Sequence, residues 1–116
     1  MIYVYLGNEI NILKMRINEL ISSLDIKNII EYDYSNTSIN EILEEVCYID
    51  LFNEKKLIIV SSFTFKKMKD KEKESLKKYI DNMNENVIIF KCIDEKLDSK
   101  DSLIKKLKEK CKVVEI

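Results

Sequence analysis

Residues 38–61 read SINEILEEVCYIDLFNEKKLIIVS, and the fold follows from how this stretch divides. Ile39, Ile42, Leu43 and Val46 recur at the spacing of one helical face. Ser38 stands before them with Glu41 three positions on, the signature of a capping box at a helix start. Leu57-Ile58-Ile59-Val60 is an unbroken apolar run, as expected of a strand covered on both faces of a parallel sheet. Between helix and strand lies a turn from Cys47 to Lys55, with Leu51 and Phe52 framed by Asp50, Glu54, Lys55 and Lys56. Such connections run over the surface, because their unpaired backbone groups need water. Two adjacent large apolar side chains there are costly unless something buries them.

The same helix–strand alternation extends in both directions. Ile2 to Leu6 reads as a buried strand ended by Gly7, and Ile10, Leu13, Ile17, Leu20, Ile21 and Leu24 mark a helix from about Glu9 to Leu24. Ile29 to Tyr34 is a second strand, and Lys56 to Ser61 is the third. A polar stretch, Phe63 to Glu74, leads to a helix whose apolar face is Leu76, Tyr79, Ile80 and Met83. Val87 to about Ile93 is a fourth strand. Asp98 is placed to cap a last helix with Leu103, Ile104 and Leu107 inward, and Val113 to Ile116 is a fifth strand. Strands alternating with helices imply parallel pairing through right-handed crossovers, hence an α/β fold with a three-layer parallel five-stranded sheet. Periodicity leaves the strand order open. No internal repeat or linker divides the chain.

With 116 residues and 13.8 kDa the chain is expected to be a single domain, 1–116, able to fold on its own core. Net charge is −1 and pI about 5.6, so no overall basic field points to nucleic acid. Charged residues at 35% and hydrophobic ones at 46% fit a globular rather than a disordered chain. No apolar run approaches the ~20 residues of a membrane span, and the first residues enter a strand without the pattern of a secretory signal. Histidine is absent, which excludes a His–Cys catalytic pair and imidazole ligation of a metal. The three cysteines, Cys47, Cys92 and Cys111, lack CxxC spacing and read as small apolar residues of a reducing compartment, so a cytoplasmic location is expected.

Leu51 and Phe52 have two readings on turn chemistry alone: folded back into the domain's own core, or offered to a partner. Several segments of the chain bear on that choice. Ile2-Tyr3-Val4-Tyr5-Leu6-Gly7-Asn8-Glu9, Tyr32-Asp33 before a helix, Leu51-Phe52-Asn53-Glu54-Lys55-Lys56-Leu57-Ile58-Ile59-Val60, Glu95-Lys96-Leu97-Asp98 and Lys112-Val113-Val114-Glu115-Ile116 resemble the N-terminal domain of the delta subunit of the bacterial DNA polymerase III clamp loader. The resemblance covers essentially the whole chain. It implies the RecA-like sheet of AAA+ ATPases, strand order 5-1-4-3-2, with a degenerate P-loop. It also implies an excised first domain, because the lid and helical collar of the family lie outside these residues.

In that family a Leu-Phe pair enters an apolar pocket on the sliding clamp. The resemblance places the pair at Leu51-Phe52, ending a six-residue pattern that begins with Gln in the family and with Cys47 here. The clamp-binding residues it implies are Cys47, Ile49, Asp50, Leu51 and Phe52, with a hydrogen bond lost where Cys47 replaces Gln. The implied action is that of a wrench: the domain grips one protomer of the ring and favours an interface geometry that springs the ring open. Partners would be the sliding clamp (beta subunit) and the other clamp-loader subunits, with DNA reached only through the assembly and no membrane.

The chemistry of nucleotide hydrolysis is missing from the motifs. Strand one leads into Gly7-Asn8-Glu9-Ile10-Asn11-Ile12-Leu13-Lys14, where a P-loop would need a second glycine and a Lys-Ser/Thr pair. Gly7 is the only glycine of the protein, Glu9 sets a negative charge beside any phosphate, and Lys14 reads as a solvated helical lysine. Asp94-Glu95 follows an apolar strand as a Walker B pair would, but Lys91, Cys92 and Ile93 intervene and the strand is the fourth rather than the third. The third ends in Ser61-Ser62. No catalytic residue, cofactor or metal is therefore expected. The alternative is an unrelated α/β enzyme or ligand-binding domain using the carboxyl edge of the sheet, where Glu9, Asp33 and Asp94 would have to converge.

Lysines 66, 67, 69, 71, 73, 77 and 78 alternate with Asp70, Glu72 and Glu74. Mixed signs favour a solvated face over a phosphate-binding one. Lys105, Lys106, Lys108 and Lys110 lie near a helix C-terminus, where cations suit the dipole.

Overall fold

A computed structural model describes residues 1–49, 51–52, 54–93 and 95–116. Strands and helices alternate along it: β1 (Ile2–Gly7), α1 (Ile10–Leu24), β2 (Asn28–Asp33), α2 (Ile39–Cys47), β3 (Lys56–Ser61), α3 (Asp70–Asp81), β4 (Val87–Ile93), α4 (Ser102–Lys110) and β5 (Lys112–Glu115). The five strands form one parallel sheet in the order β2-β3-β4-β1-β5. Read from the other edge this is 5-1-4-3-2, the RecA-like order. Joining β1 to β2 takes α1 across β4 and β3 on one face, while the other three crossovers use the opposite face.

That division explains two separate cores. Ile2, Val4, Leu6, Ile58, Val60, Ile88 and Phe90 point to the face carrying α2, α3 and α4, where they meet Ile42, Val46, Leu76, Ile80, Leu103 and Leu107. The alternate strand residues Tyr5, Leu57, Ile59, Val87 and Ile89 meet Leu13 and Ile17 of α1. Both faces of β3 and β4 are thus covered, which is why their sequences are apolar runs and do not alternate.

The structure departs from the sequence reading in four places. Tyr34 leaves β2 and enters a 3-10 turn (Tyr34–Asn36), its ring buried against Phe63 at 4.8 Å. The supposedly polar stretch after β3 buries Phe63, Phe65 and Met68, with Phe63 also 4.8 Å from Phe65 and 4.4 Å from Phe90. The last helix is capped by Asp101, whose carboxylate accepts the Leu103 N–H at 2.9 Å, and not by Asp98, which accepts the N–H of Lys100. Lys56, read in the sequence as one of the charged residues framing the turn, is buried at its base.

The helices on the three-helix face are tied together at the surface and at their starts. Glu72 of α3 accepts the N–H of Ile39 at the start of α2 (3.0 Å), the Tyr34 hydroxyl (3.2 Å) and the N–H of Lys69 (3.2 Å). Burial, and next the charge of Glu72, push the Tyr34 phenol up to about 12. Asp81 of α3 pairs with Lys106 and Lys110 of α4 at 2.8 and 2.9 Å, contacts that hold its carboxyl below the usual range. These pairs face water and add little to stability.

Candidate functional site

The Leu51-Phe52 turn lies at the amino edge of the sheet, between the end of α2 and the start of β3. Leu51 is 99% exposed, Phe52 81%, Ile49 70% and Tyr48 62%. Cys47, the last residue of α2, is exposed too. Four of the five residues expected to form the site therefore present themselves to solvent on one consecutive segment. The fifth, Asp50, lies outside the described residues.

The turn stands on a polar base that the sequence reading missed. A helix leaves its last carbonyls without intrahelical partners, and here three side chains take those at the end of α2 and just beyond. Lys56 Nζ donates to the carbonyls of Glu45 (3.1 Å) and Tyr48 (2.9 Å), while Asn84 and Asn86 amides both donate to the Val46 carbonyl, at 2.8 and 2.7 Å. Lys56 Nζ also sits 4.7 Å from the Tyr48 ring centroid and 3.8 Å from Glu45 Oε2. A cation placed at a helix C-terminus is favoured by the helix dipole, so a 4% exposed lysine is well housed there.

Further bonds lock this base to the rest of the fold. Asn86 Oδ1 accepts the Lys56 N–H at 2.8 Å, and Asn84 Oδ1 accepts the Asn86 N–H and the Tyr79 hydroxyl at 2.9 and 3.1 Å. Burial, then the neighbouring Cys47, push the Tyr79 phenol up to about 12, so it remains a neutral donor. The Met1 ammonium donates to the Asn86 carbonyl at 2.9 Å. Asn84 and Asn86 gave a faint signal in the sequence as polar residues packed into a short helix–strand connection. Lys56 gave none, because lysine at a strand start is ordinarily solvated.

The carboxyl edge is built differently. Gly7 approaches the Leu13 and Ile116 side chains, atoms that a Cβ at Gly7 would meet at 3.6–3.9 Å. Glu9 caps α1, its carboxylate accepting the Asn11 N–H at 3.0 Å, so an anionic group already occupies the helix N-terminus. Asp33 accepts the N–H and hydroxyl of Ser35, bonds that hold its carboxyl below the usual range. Glu9 and Asp33 do not converge: they follow β1 and β2, which are separated by β3 and β4, or about 14 Å at the usual strand spacing. Asp94 lies outside the described residues.

Glu95 Oε1 accepts the Phe65 N–H at 2.8 Å and staples the loop after β3 to the loop after β4. A shallow cavity of about 410 Å³ lies beside it, lined by Gly7, Asn8, Glu95, Lys96 and Ile116 among others. Among the described residues no group of three or more Cys, Asp or Glu could hold a metal ion. Of the cysteines, Cys92 is buried, with its thiol raised by burial and then by Glu95, and Cys111 is half-buried. Cys47, read in the sequence as a small apolar residue and as the first position of the contact segment, is exposed.

In the lysine-rich segment, Lys73 pairs with Asp101 at 3.0 Å and Lys77 with Glu74 at 3.1 Å. No helix among the described residues is long and apolar enough to cross a membrane.

Sheet order and crossover faces define the class: an α/β domain with a five-stranded parallel sheet in the RecA-like order. The sequence matches the family "DNA polymerase III, delta subunit" over residues 3–116, and the chain belongs to that family. Its structure is similar to that of the Bacillus subtilis DNA clamp loader delta protein (YqeN), with a TM-score of 0.72 at 17% identity, covering 98% of this chain and 38% of that one. At that identity the likeness establishes the fold, and this chain spans little more than a third of that protein's length. No curated protein sequence matches the chain.

Proposed function

We propose that this chain is the clamp-gripping part of a clamp-loader delta subunit, non-catalytic in itself, and that Leu51 and Phe52 are its anchor. One observation carries the proposal: two adjacent large apolar side chains, 99% and 81% exposed, stand on a buried hydrogen-bonded base. A base held by hydrogen bonds lowers the ordering cost of association for the backbone it fixes. Cys47, Ile49 and Asp50 complete the contact segment, and the partner is the ring-shaped sliding clamp. By gripping one protomer the domain would favour an opened ring, while contacts with other loader subunits, and through them DNA, belong to the longer protein.

Titrating purified sliding clamp with this chain tests the proposal: saturable binding is expected, and no association at tens of micromolar overturns it. Family membership and the Leu-Phe turn support this reading over an enzyme at the carboxyl edge. Glu9 at the α1 N-terminus and the Leu13–Ile116 packing at Gly7 support the non-nucleotide part. Calorimetry with Mg-ATP should give no heat of binding, and micromolar affinity would contradict it.

A further inference from the structure

Beneath α1, the central strand β4 places Val87, Ile89 and Lys91 on one face in succession. The first two are buried apolar residues. The third is a half-buried lysine in a position where a doubly covered strand calls for another apolar side chain. Across the groove, α1 brings Lys14 to the same place. The groove encloses about 330 Å³ and is lined by Lys14, Asn18, Glu31, Ser61 and Lys91 over an apolar floor that includes Ile59. None of the ion pairs among the described residues involves Lys14 or Lys91. Burial, and next the charge of Lys14, draw the Lys91 ammonium below its ordinary pKa, with Glu31 opposing. Two ammonium groups thus share a groove with one carboxylate. The groove therefore presents an excess of positive charge that an anion can balance.

We propose that this groove binds a phosphate group, held by Lys14 and Lys91 with the Asn18 amide as a further donor. Lysine ammonium groups act as point charges suited to phosphate oxygens. Two ammonium groups and one carboxylate leave the groove with a net charge of +1, which a singly charged phosphate group such as a phosphodiester would bring to zero. The Ser61 hydroxyl contributes no donor, because it donates to the Tyr32 carbonyl at 3.2 Å. The site is separate from the α1 N-terminus, where Glu9 sits, and from the Leu51-Phe52 turn at the opposite edge.

The phosphate could be that of a small phosphate compound or the phosphodiester of a nucleic acid, and one experiment distinguishes them. The chain is titrated at low salt with inorganic pyrophosphate, and separately with a short single-stranded oligonucleotide, while amide shifts are followed by NMR. Shifts centred on Lys14, Asn18 and Lys91 with pyrophosphate assign a small phosphate ligand; shifts there with the oligonucleotide alone assign a nucleic-acid backbone. In either case Lys91→Met should weaken binding at least about tenfold, the effect of losing one charge-assisted hydrogen bond, and Lys91→Arg should retain most of it. If neither probe shifts these amides, or Lys91→Met binds like the parent chain, the proposal is overturned. A melting temperature raised by Lys91→Met with no change in binding would mark the lysine as one that merely extends its ammonium to water.

Discussion

The two ends of β3 treat aromatic residues in opposite ways. The turn entering the strand holds Phe52 and Leu51 in solvent, whereas the loop leaving it turns Phe63 and Phe65 inward onto Phe90 and Tyr34. Both segments are short, both lie beside charged residues, and the two ends are about 20 Å apart along a six-residue strand. The loop after β3 shows that this fold can bury aromatic residues in a connection. The contrast lies in the polar groups. After β3, Glu95 draws the loop backbone down onto the core; before β3, Lys56, Asn84 and Asn86 fix the backbone beneath the turn and leave its apolar side chains projecting. On the reading proposed above, a Leu-Phe pair so placed would gain its burial from a partner.

Removing an aromatic side chain should therefore have opposite consequences at the two ends. Phe63→Ala at the inward end should cost about 3–5 kcal/mol of stability, as for other buried Phe truncations, and should lower the melting temperature sharply. Were Phe63→Ala to melt like the parent chain, the loop after β3 would not be the packed element described here.

Lys56→Met tests the base directly. It keeps the apolar stem but strips the Tyr48 carbonyl of its Lys56 donor and leaves the Glu45 carbonyl only the Tyr48 N–H, and a stability loss of about 1–3 kcal/mol is expected from partly buried groups left unpaired. Clamp binding should fall several-fold with it, because the turn loses its fixed support. Lost binding with an unchanged melt would instead mean that Lys56 touches the clamp itself.

The pattern of exposed and buried residues was partly legible in the sequence. Ile39, Ile42 and Val46 announced α2 by their spacing, and Leu57 to Val60 announced a covered strand. The order of the strands came from family resemblance, since period alone carries no information about which strands pair. Phe63, Phe65 and Met68 were missed because they follow neither a two- nor a 3.6-residue period: an irregular loop and a 3-10 turn place them. Asp98 and Asp101 were equally good caps by type. The chain chose Asp101 because the Asp98 carboxylate closes a local turn with Lys100 and its carbonyl accepts the Asp101 N–H. Leu51 and Phe52 were legible as a site by their place in a turn, but the base under them was not, because its chemistry joins residues 38–40 positions apart.

The smallest expected effect concerns Cys47, exposed at the end of α2 and standing where the resemblance to the family would place a Gln. Cys47→Gln should leave the fold intact and tighten clamp binding by a few-fold, read by titration against the parent chain. Unfolding on this change would show that Cys47 packs inside, and would shift the register of the whole contact segment.

The central claim is that Leu51 and Phe52 serve a partner and not the core, and the double variant Leu51→Ala with Phe52→Ala tests it most directly, in a clamp titration run beside a thermal melt. Burying each such side chain is worth about 1.5–3 kcal/mol, so losing both should weaken clamp binding roughly a hundredfold or more, while the melting temperature stays unchanged or rises slightly. A large fall in melting temperature, or clamp binding that survives the double change, would contradict the account.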